Sequence, residues 1–151
     1  MADASLYQIL QDVLPTGKHT RKPKALIVDD TESIRFILET GLEIGGWKVS
    51  VAGTAMDALQ QLAKEDFDLV IMDIGLPDMN GLDVVEALHK EKPKLPVIIL
   101  SVQDDSETKV RALVAGASDY ITKPFRVEEI LSTMDLILKQ RNQLNPKTAK
   151  G

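Results

Sequence analysis

Short apolar runs and longer stretches of helical period alternate five times along this chain, and few folds accept that order. The runs are Ala25–Val28, Trp47–Val51, Leu69–Met72, Val97–Ser101 and Asp119–Thr122. Between and after them, apolar residues recur at the i, i+3, i+4 spacing of one helix face. The first such stretch, Thr31–Ile44, places Ile34, Ile37, Leu38 and Leu42 on one face and stops at Gly45-Gly46. A second starts at Thr54 as N-cap, with Ala55, Ala58, Leu59 and Leu62 as its stripe, and ends at Lys64-Glu65-Asp66. The remaining three are Leu82–Lys90, Asp104–Ala115 closed by Gly116, and Val127–Arg141. Leu69-Val70-Ile71-Met72 is apolar at every position, which requires cover on both faces of its sheet. The pattern predicts an α/β chain: five parallel strands with five helices as crossovers. Such crossovers are right-handed, so the loops that follow the strands open at one edge, where ligands of parallel sheets bind.

Just past the strands stand Asp29 and Asp30 after the first, Asp73 after the third, Ser101 closing the fourth and Lys123 after the fifth. One polar residue at a strand end is ordinary loop chemistry; five converging on one edge are not. Carboxylates held a few ångströms apart repel, and a cation is what lets such a cluster stay ionised. Hard oxygen donors point to Mg²⁺, whose shell is completed by waters and phosphate oxygens. Lys123 and Ser101 add a cationic donor and a hydroxyl, the groups an arriving phosphoryl oxygen needs. Asp73, at the end of the most apolar strand, is the candidate nucleophile, and Asp29 and Asp30 are placed to orient the metal.

Composition narrows the alternatives. The 151 residues include no cysteine, which excludes disulfides, thiolate metal sites and a thiol nucleophile, and the two histidines, His19 and His89, lie far apart. With 23 acidic against 18 basic residues the net charge is −5, so direct nucleic-acid binding is not expected. No apolar run approaches the roughly 20 residues of a membrane span, and Met1-Ala-Asp-Ala does not open a signal peptide. No membrane insertion is expected, and the chain is read as cytoplasmic.

The sequence divides into three parts. Residues 1–23 form an extension, in which Leu6, Ile9, Leu10, Val13 and Leu14 make a helical stripe ended by Pro15-Thr-Gly17, followed by a basic linker with Lys18, His19, Arg21 and Lys22. Residues 24–141 carry the alternation, and 142–151 read as a polar, proline-broken tail.

From Lys24 to Arg141 the chain resembles the receiver domain of two-component response regulators. The resemblance rests on Asp29-Asp30, on Asp73 with Pro77 and Gly81 behind it, on Ser101 at a strand end, and on Ala117-Ser-Asp-Tyr-Ile-Thr-Lys-Pro-Phe125. It implies a doubly wound, flavodoxin-like sheet of order 2-1-3-4-5. It implies that Asp73 accepts a phosphoryl group from a sensor histidine kinase or a histidine phosphotransfer protein. Mg²⁺ would then be held by Asp30 and Asp73, by Asp29 mainly through water, and by the backbone carbonyl of Gly75. Ser101 and Lys123 would bind phosphoryl oxygens, the Lys123–Pro124 bond would be the family's cis peptide, and Ser101 with Tyr120 would form the switch. The fourth helix, fifth strand and fifth helix would carry the signal to a downstream protein, or join two copies as a homodimer. Such a chain is a switch that turns over its own phosphoryl group, not an enzyme with an external substrate. Ser101 departs from the family's commoner threonine but keeps the hydroxyl.

Two other readings fit parts of the pattern. A haloacid-dehalogenase-type phosphatase also pairs an aspartate nucleophile with Mg²⁺, but it expects a second acid two residues on, where this chain has Gly75. An interaction scaffold of receiver shape would normally have lost one of the five site residues.

Overall fold

The computed structural model describes residues 21–144, with side chains described up to Arg141, so the predicted N-terminal helix lies outside the described residues. Five strands, β1 (Lys24–Val28), β2 (Lys48–Ala52), β3 (Leu69–Met72), β4 (Val97–Ser101) and β5 (Asp119–Thr122), form one sheet of order β2-β1-β3-β4-β5. Every neighbouring pair is parallel. Five helices alternate with them: α1 (Glu32–Ile44), α2 (Ala55–Lys64), α3 (Gly81–Glu91), α4 (Ser106–Ala115) and α5 (Val127–Leu144).

Period-two alternation within the strands builds two cores. Leu26, Val28, Val70, Met72 and Ile99 face the side covered by Ala55, Ala58 and Leu62 of α2, Val85 and Leu88 of α3 and Ala112 of α4. Ala25, Ile27, Leu69, Ile71, Ile98 and Leu100 face the other side, against Leu38 and Leu42 of α1 and Ile130 and Met134 of α5. Both faces of β3 are therefore dry, as its unbroken apolar run requires.

Element ends differ from the sequence expectation where side chains settle the cap. Trp47 was expected in the second strand, but its N–H donates to Leu42 O at 3.0 Å and so closes α1, while its buried ring joins the core. Helix α4 starts at Ser106 rather than Asp104, because Asp105 is the N-cap and accepts from Thr108 N at 2.9 Å. Gly116 ends it with φ +115°, a conformation that side chains rarely adopt. Helix α5 runs through Leu144, taking in residues 142–144 expected in the tail.

One glycine is dictated by packing beside β3. A Cβ on Gly81 would collide with the carbonyl oxygen of Asp73 and lie 2.7 Å from Ile74 Cα, and the Gly81 N–H donates to Ile74 O at 2.8 Å. The start of α3 is thus pressed onto the backbone that carries Asp73. Gly81→Ala is expected to lower stability by about 2 kcal/mol, the usual cost of overpacking a close backbone contact. An unchanged urea midpoint would show that the contact yields freely.

Candidate functional site

Backbone pairing brings the acidic residues together. The ladders run one residue past the strands: Asp29 N donates to Ala52 O at 3.0 Å, Asp73 N to Val28 O at 2.9 Å, and Lys123 N to Ser101 O at 2.8 Å. Asp29 and Asp73 are therefore neighbours across the β1–β3 pair, and Lys123 is held to the end of β4. Asp29 and Asp73 are buried, and Asp30 is exposed beside them.

The carboxylates of Asp29, Asp30 and Asp73 each present an oxygen within 4.8 Å of the others. Lys123 Nζ reaches over the cluster, donating to Asp29 Oδ2 at 2.8 Å and to Asp73 Oδ2 at 3.3 Å. Thr31 N donates to Asp29 Oδ1 at 2.9 Å, and Gly75 N to Asp73 Oδ1 at 3.2 Å. The Lys123–Pro124 peptide is cis.

The electrostatics are those of partly dried charges. Burial pushes the Asp73 carboxyl above its ordinary value and the Asp29 charge adds to this, against the opposing pull of the Gly75 N–H and Lys123. Burial alone would pull the Lys123 ammonium down. Its hydrogen bond to Asp29, with the charges of both carboxylates, outweighs burial and holds it above the usual lysine value. A cluster of oxygens that draws an ammonium onto itself is chemically suited to a hard divalent cation, so the donor set fits Mg²⁺.

Ser101 lies at the end of β4, 2% exposed, and its Oγ accepts from Gln103 N at 3.1 Å. Tyr120 is half-buried against the core, and its hydroxyl donates to Gln103 O at 2.7 Å. The Lys109 ammonium lies 6.0 Å from the Tyr120 ring centroid and pairs with Asp104 at 2.7 Å. Gly75 is exposed and forms an isolated bridge with Asn80 across the β3–α3 loop.

Three residues near the site were not singled out from sequence as contacts. Gln103 holds Ser101 with its N–H and Tyr120 with its carbonyl, so one peptide segment touches both. Arg35 Nη1 donates to the carbonyl of Asp29 at 2.7 Å and steadies the acidic pair from α1. Asp78, in the β3–α3 loop, accepts from the first backbone N–H groups of α2. None follows a periodic pattern, and the turn-forming residues around Asp78 are the one local sequence signal near it.

Comparison with known proteins agrees with this geometry. A family model described as the response regulator receiver domain matches residues 25–135. The transcriptional regulatory protein KdpE of Mycobacterium tuberculosis is 44% identical over 109 residues, covering 72% of this chain and 48% of that protein. The probable transcriptional regulatory protein TcrX of the same species is 36% identical over 115 residues, covering 76% and 49%. The chain thus spans about half the length of these curated relatives. Among solved structures, a CheY-like response regulator receiver domain protein from Methanospirillum hungatei JF-1 matches with a TM-score of 0.79 at 33% identity, over 82% of this chain and 99% of that one. With the strand order, the acidic edge and most of its length in agreement, this chain belongs to the response regulator receiver domain family, the signalling switch of two-component systems.

Proposed function

We propose that Asp73 is the phosphoacceptor of this receiver domain. The observation that carries the reading is the meeting of Asp29, Asp30, Asp73 and Lys123 at one edge of the sheet. The donor is the phosphohistidine of a sensor histidine kinase or histidine phosphotransfer protein. An Asp73 carboxylate oxygen attacks phosphorus, the new P–O bond forms as the P–N bond breaks, and the imidazole leaves. Asp30 and Asp73 by carboxylate, Asp29 mainly through water, and Gly75 by its carbonyl would hold Mg²⁺. The ion would supply positive charge against the oxygens that crowd the site. Lys123 donates to one phosphoryl oxygen. Ser101, once released from Gln103 N, donates its hydroxyl to another.

The same release gives the switch. Phosphorylation adds roughly −1.5 to −2 charge at one point, and the bonds to Ser101 and Lys123 exist only in the state with those groups drawn in. Because Gln103 holds both Ser101 and Tyr120, movement of Ser101 is transmitted to Tyr120 and to the surface of α4, β5 and α5. That surface would act on a downstream protein or pair with a second copy. We assign the receiver to residues 24–144, through α5, with 1–23 as an extension and 145–151 as a tail, working in the cytoplasm without direct nucleic-acid contact. Among the described residues no helix is long and apolar enough to cross a membrane. The phosphatase alternative finds no support, since Gly75 stands where its second acid is needed. The complete set of site residues favours a phosphoacceptor over an inert scaffold.

The test is chemical. Wild-type protein given Mg²⁺ and acetyl phosphate is expected to gain one phosphoryl group, cleaved by hydroxylamine as an acyl phosphate is, and mapping to Asp73. A hydroxylamine-stable adduct, or one on another residue, would overturn the assignment.

A further inference from the structure

Helix α2 opens with backbone donors that no intrahelical carbonyl reaches, and they are answered from two directions. Thr54 serves one of them, its side chain accepting from Asp57 N at 3.1 Å, while its carbonyl takes the first regular helix bond, from Ala58 N at 3.1 Å. Two others donate across the fold. Ala55 N reaches Asp78 Oδ1 at 2.9 Å and Met56 N reaches Asp78 Oδ2 at 2.9 Å. One carboxylate thus uses both oxygens on the N-terminus of a helix to which it does not belong.

Asp78 sits in the loop that leaves Asp73. Within that loop Gly75 bridges Asn80, Asn80 caps α3 by accepting from Leu82 N at 2.8 Å, and Gly75 N donates to Asp73 Oδ1. Where the loop stands therefore decides where the Gly75 N–H holds the Asp73 carboxylate. The bonds just named lie within the loop or to its own helix. Those of Asp78 anchor it to another element.

We propose that Asp78 is a positioning residue for the phosphoacceptor: by clamping the β3–α3 loop to α2 it keeps the Gly75 N–H on Asp73 Oδ1. This inference rests on the reading of Asp73 as phosphoacceptor. The charge of Asp78 suits the task, since a carboxylate is favoured at a helix N-terminus and accepts two N–H groups at once.

The experiment uses the full chain and compares Asp78→Ala, Asp78→Asn and Thr54→Ala by thermal melting and by beryllofluoride titration at saturating Mg²⁺. Each alanine variant removes a cap from α2, so both are expected to melt below wild type. Only Asp78→Ala is expected to bind the phosphoryl mimic more weakly, by roughly ten-fold, a smaller effect than the roughly 100-fold that a 1 Å misplacement of a reacting group can cost. Asp78→Asn keeps one acceptor oxygen without the charge and is expected to fall between. The proposal is overturned if Asp78→Ala melts lower yet binds beryllofluoride like wild type, which makes the contact purely structural. It is overturned equally if Thr54→Ala weakens binding as much, which places the effect in α2 rather than the loop. Failure of the underlying reading would look different, because wild type itself would then show no Mg²⁺-dependent response.

Discussion

Asp73→Asn is expected to lose phosphorylation completely and yet to melt at a higher temperature than wild type in metal-free buffer. The loss follows because an amide oxygen has no anionic lone pair with which to attack phosphorus. The gain follows from the cost of keeping a carboxylate buried beside Asp29, which holds the Asp73 carboxyl above its ordinary value of 3.8. The folded state therefore binds this proton more tightly than the unfolded state. Its contribution to stability is complete below 3.8 and is lost as pH rises through the higher folded value. Asparagine does not titrate, so its advantage is greatest at neutral pH, at about 1 kcal/mol, and shrinks to nothing in acid. Thermal melts in EDTA across this range measure it directly. A variant less stable than wild type at neutral pH would show that Lys123 compensates the buried charge fully.

Lys123→Met has the opposite signature. Methionine replaces the aliphatic stem but leaves Asp29, 1% exposed, with the Thr31 N–H as its remaining described partner. Removing one member of a buried pair costs more than the pair contributes, and the lower end of that range applies because the Lys123 side chain is 14% exposed. The expected loss is about 3 kcal/mol in EDTA, with much of it restored by Mg²⁺, which supplies the missing positive charge to the same oxygens. Phosphorylation by acetyl phosphate is expected to slow by roughly 100-fold, as when one preorganised donor to a developing charge is removed. Urea unfolding with and without Mg²⁺ separates the two effects. If the EDTA midpoint did not change, Lys123 would not be neutralising Asp29 in the fold.

Much of this site was legible because its residues are defined by where strands end. Unbroken apolar runs such as Leu69–Met72 announce a doubly covered strand, and Asp29, Asp73 and Lys123 follow their strands without an intervening residue. The ladder bonds of Asp73 to Val28 and of Lys123 to Ser101 then turn adjacency in sequence into adjacency in space. Local reasoning could not supply the strand order, since alternation fixes parallel pairing but not which strands are neighbours. The order came from the resemblance and matches the structure.

What stayed hidden is what depends on partners remote in sequence. Asp78 caps a helix that begins well before it in the chain, so no periodicity connects the two. Gly81 reads as an ordinary turn glycine until the carbonyl of Asp73 is seen pressed against it. Trp47 resembles a strand residue because its burial is real, but its N–H belongs to the end of α1. The early start expected for α4 reflects a cap that either Asp104 or Asp105 was able to provide; the bonds from Thr108 select Asp105.

The central claim is that Asp73 and its neighbours form a Mg²⁺-dependent phosphoryl site coupled to Tyr120. Backbone amide spectra of the full chain during beryllofluoride titration test it most directly. With Mg²⁺ present, resonances of Ser101, Gln103, Tyr120 and Lys123 are expected to move together in wild type, with no change without Mg²⁺ or in Asp73→Asn. A wild-type spectrum that does not respond, or a response that survives in Asp73→Asn, would contradict the account.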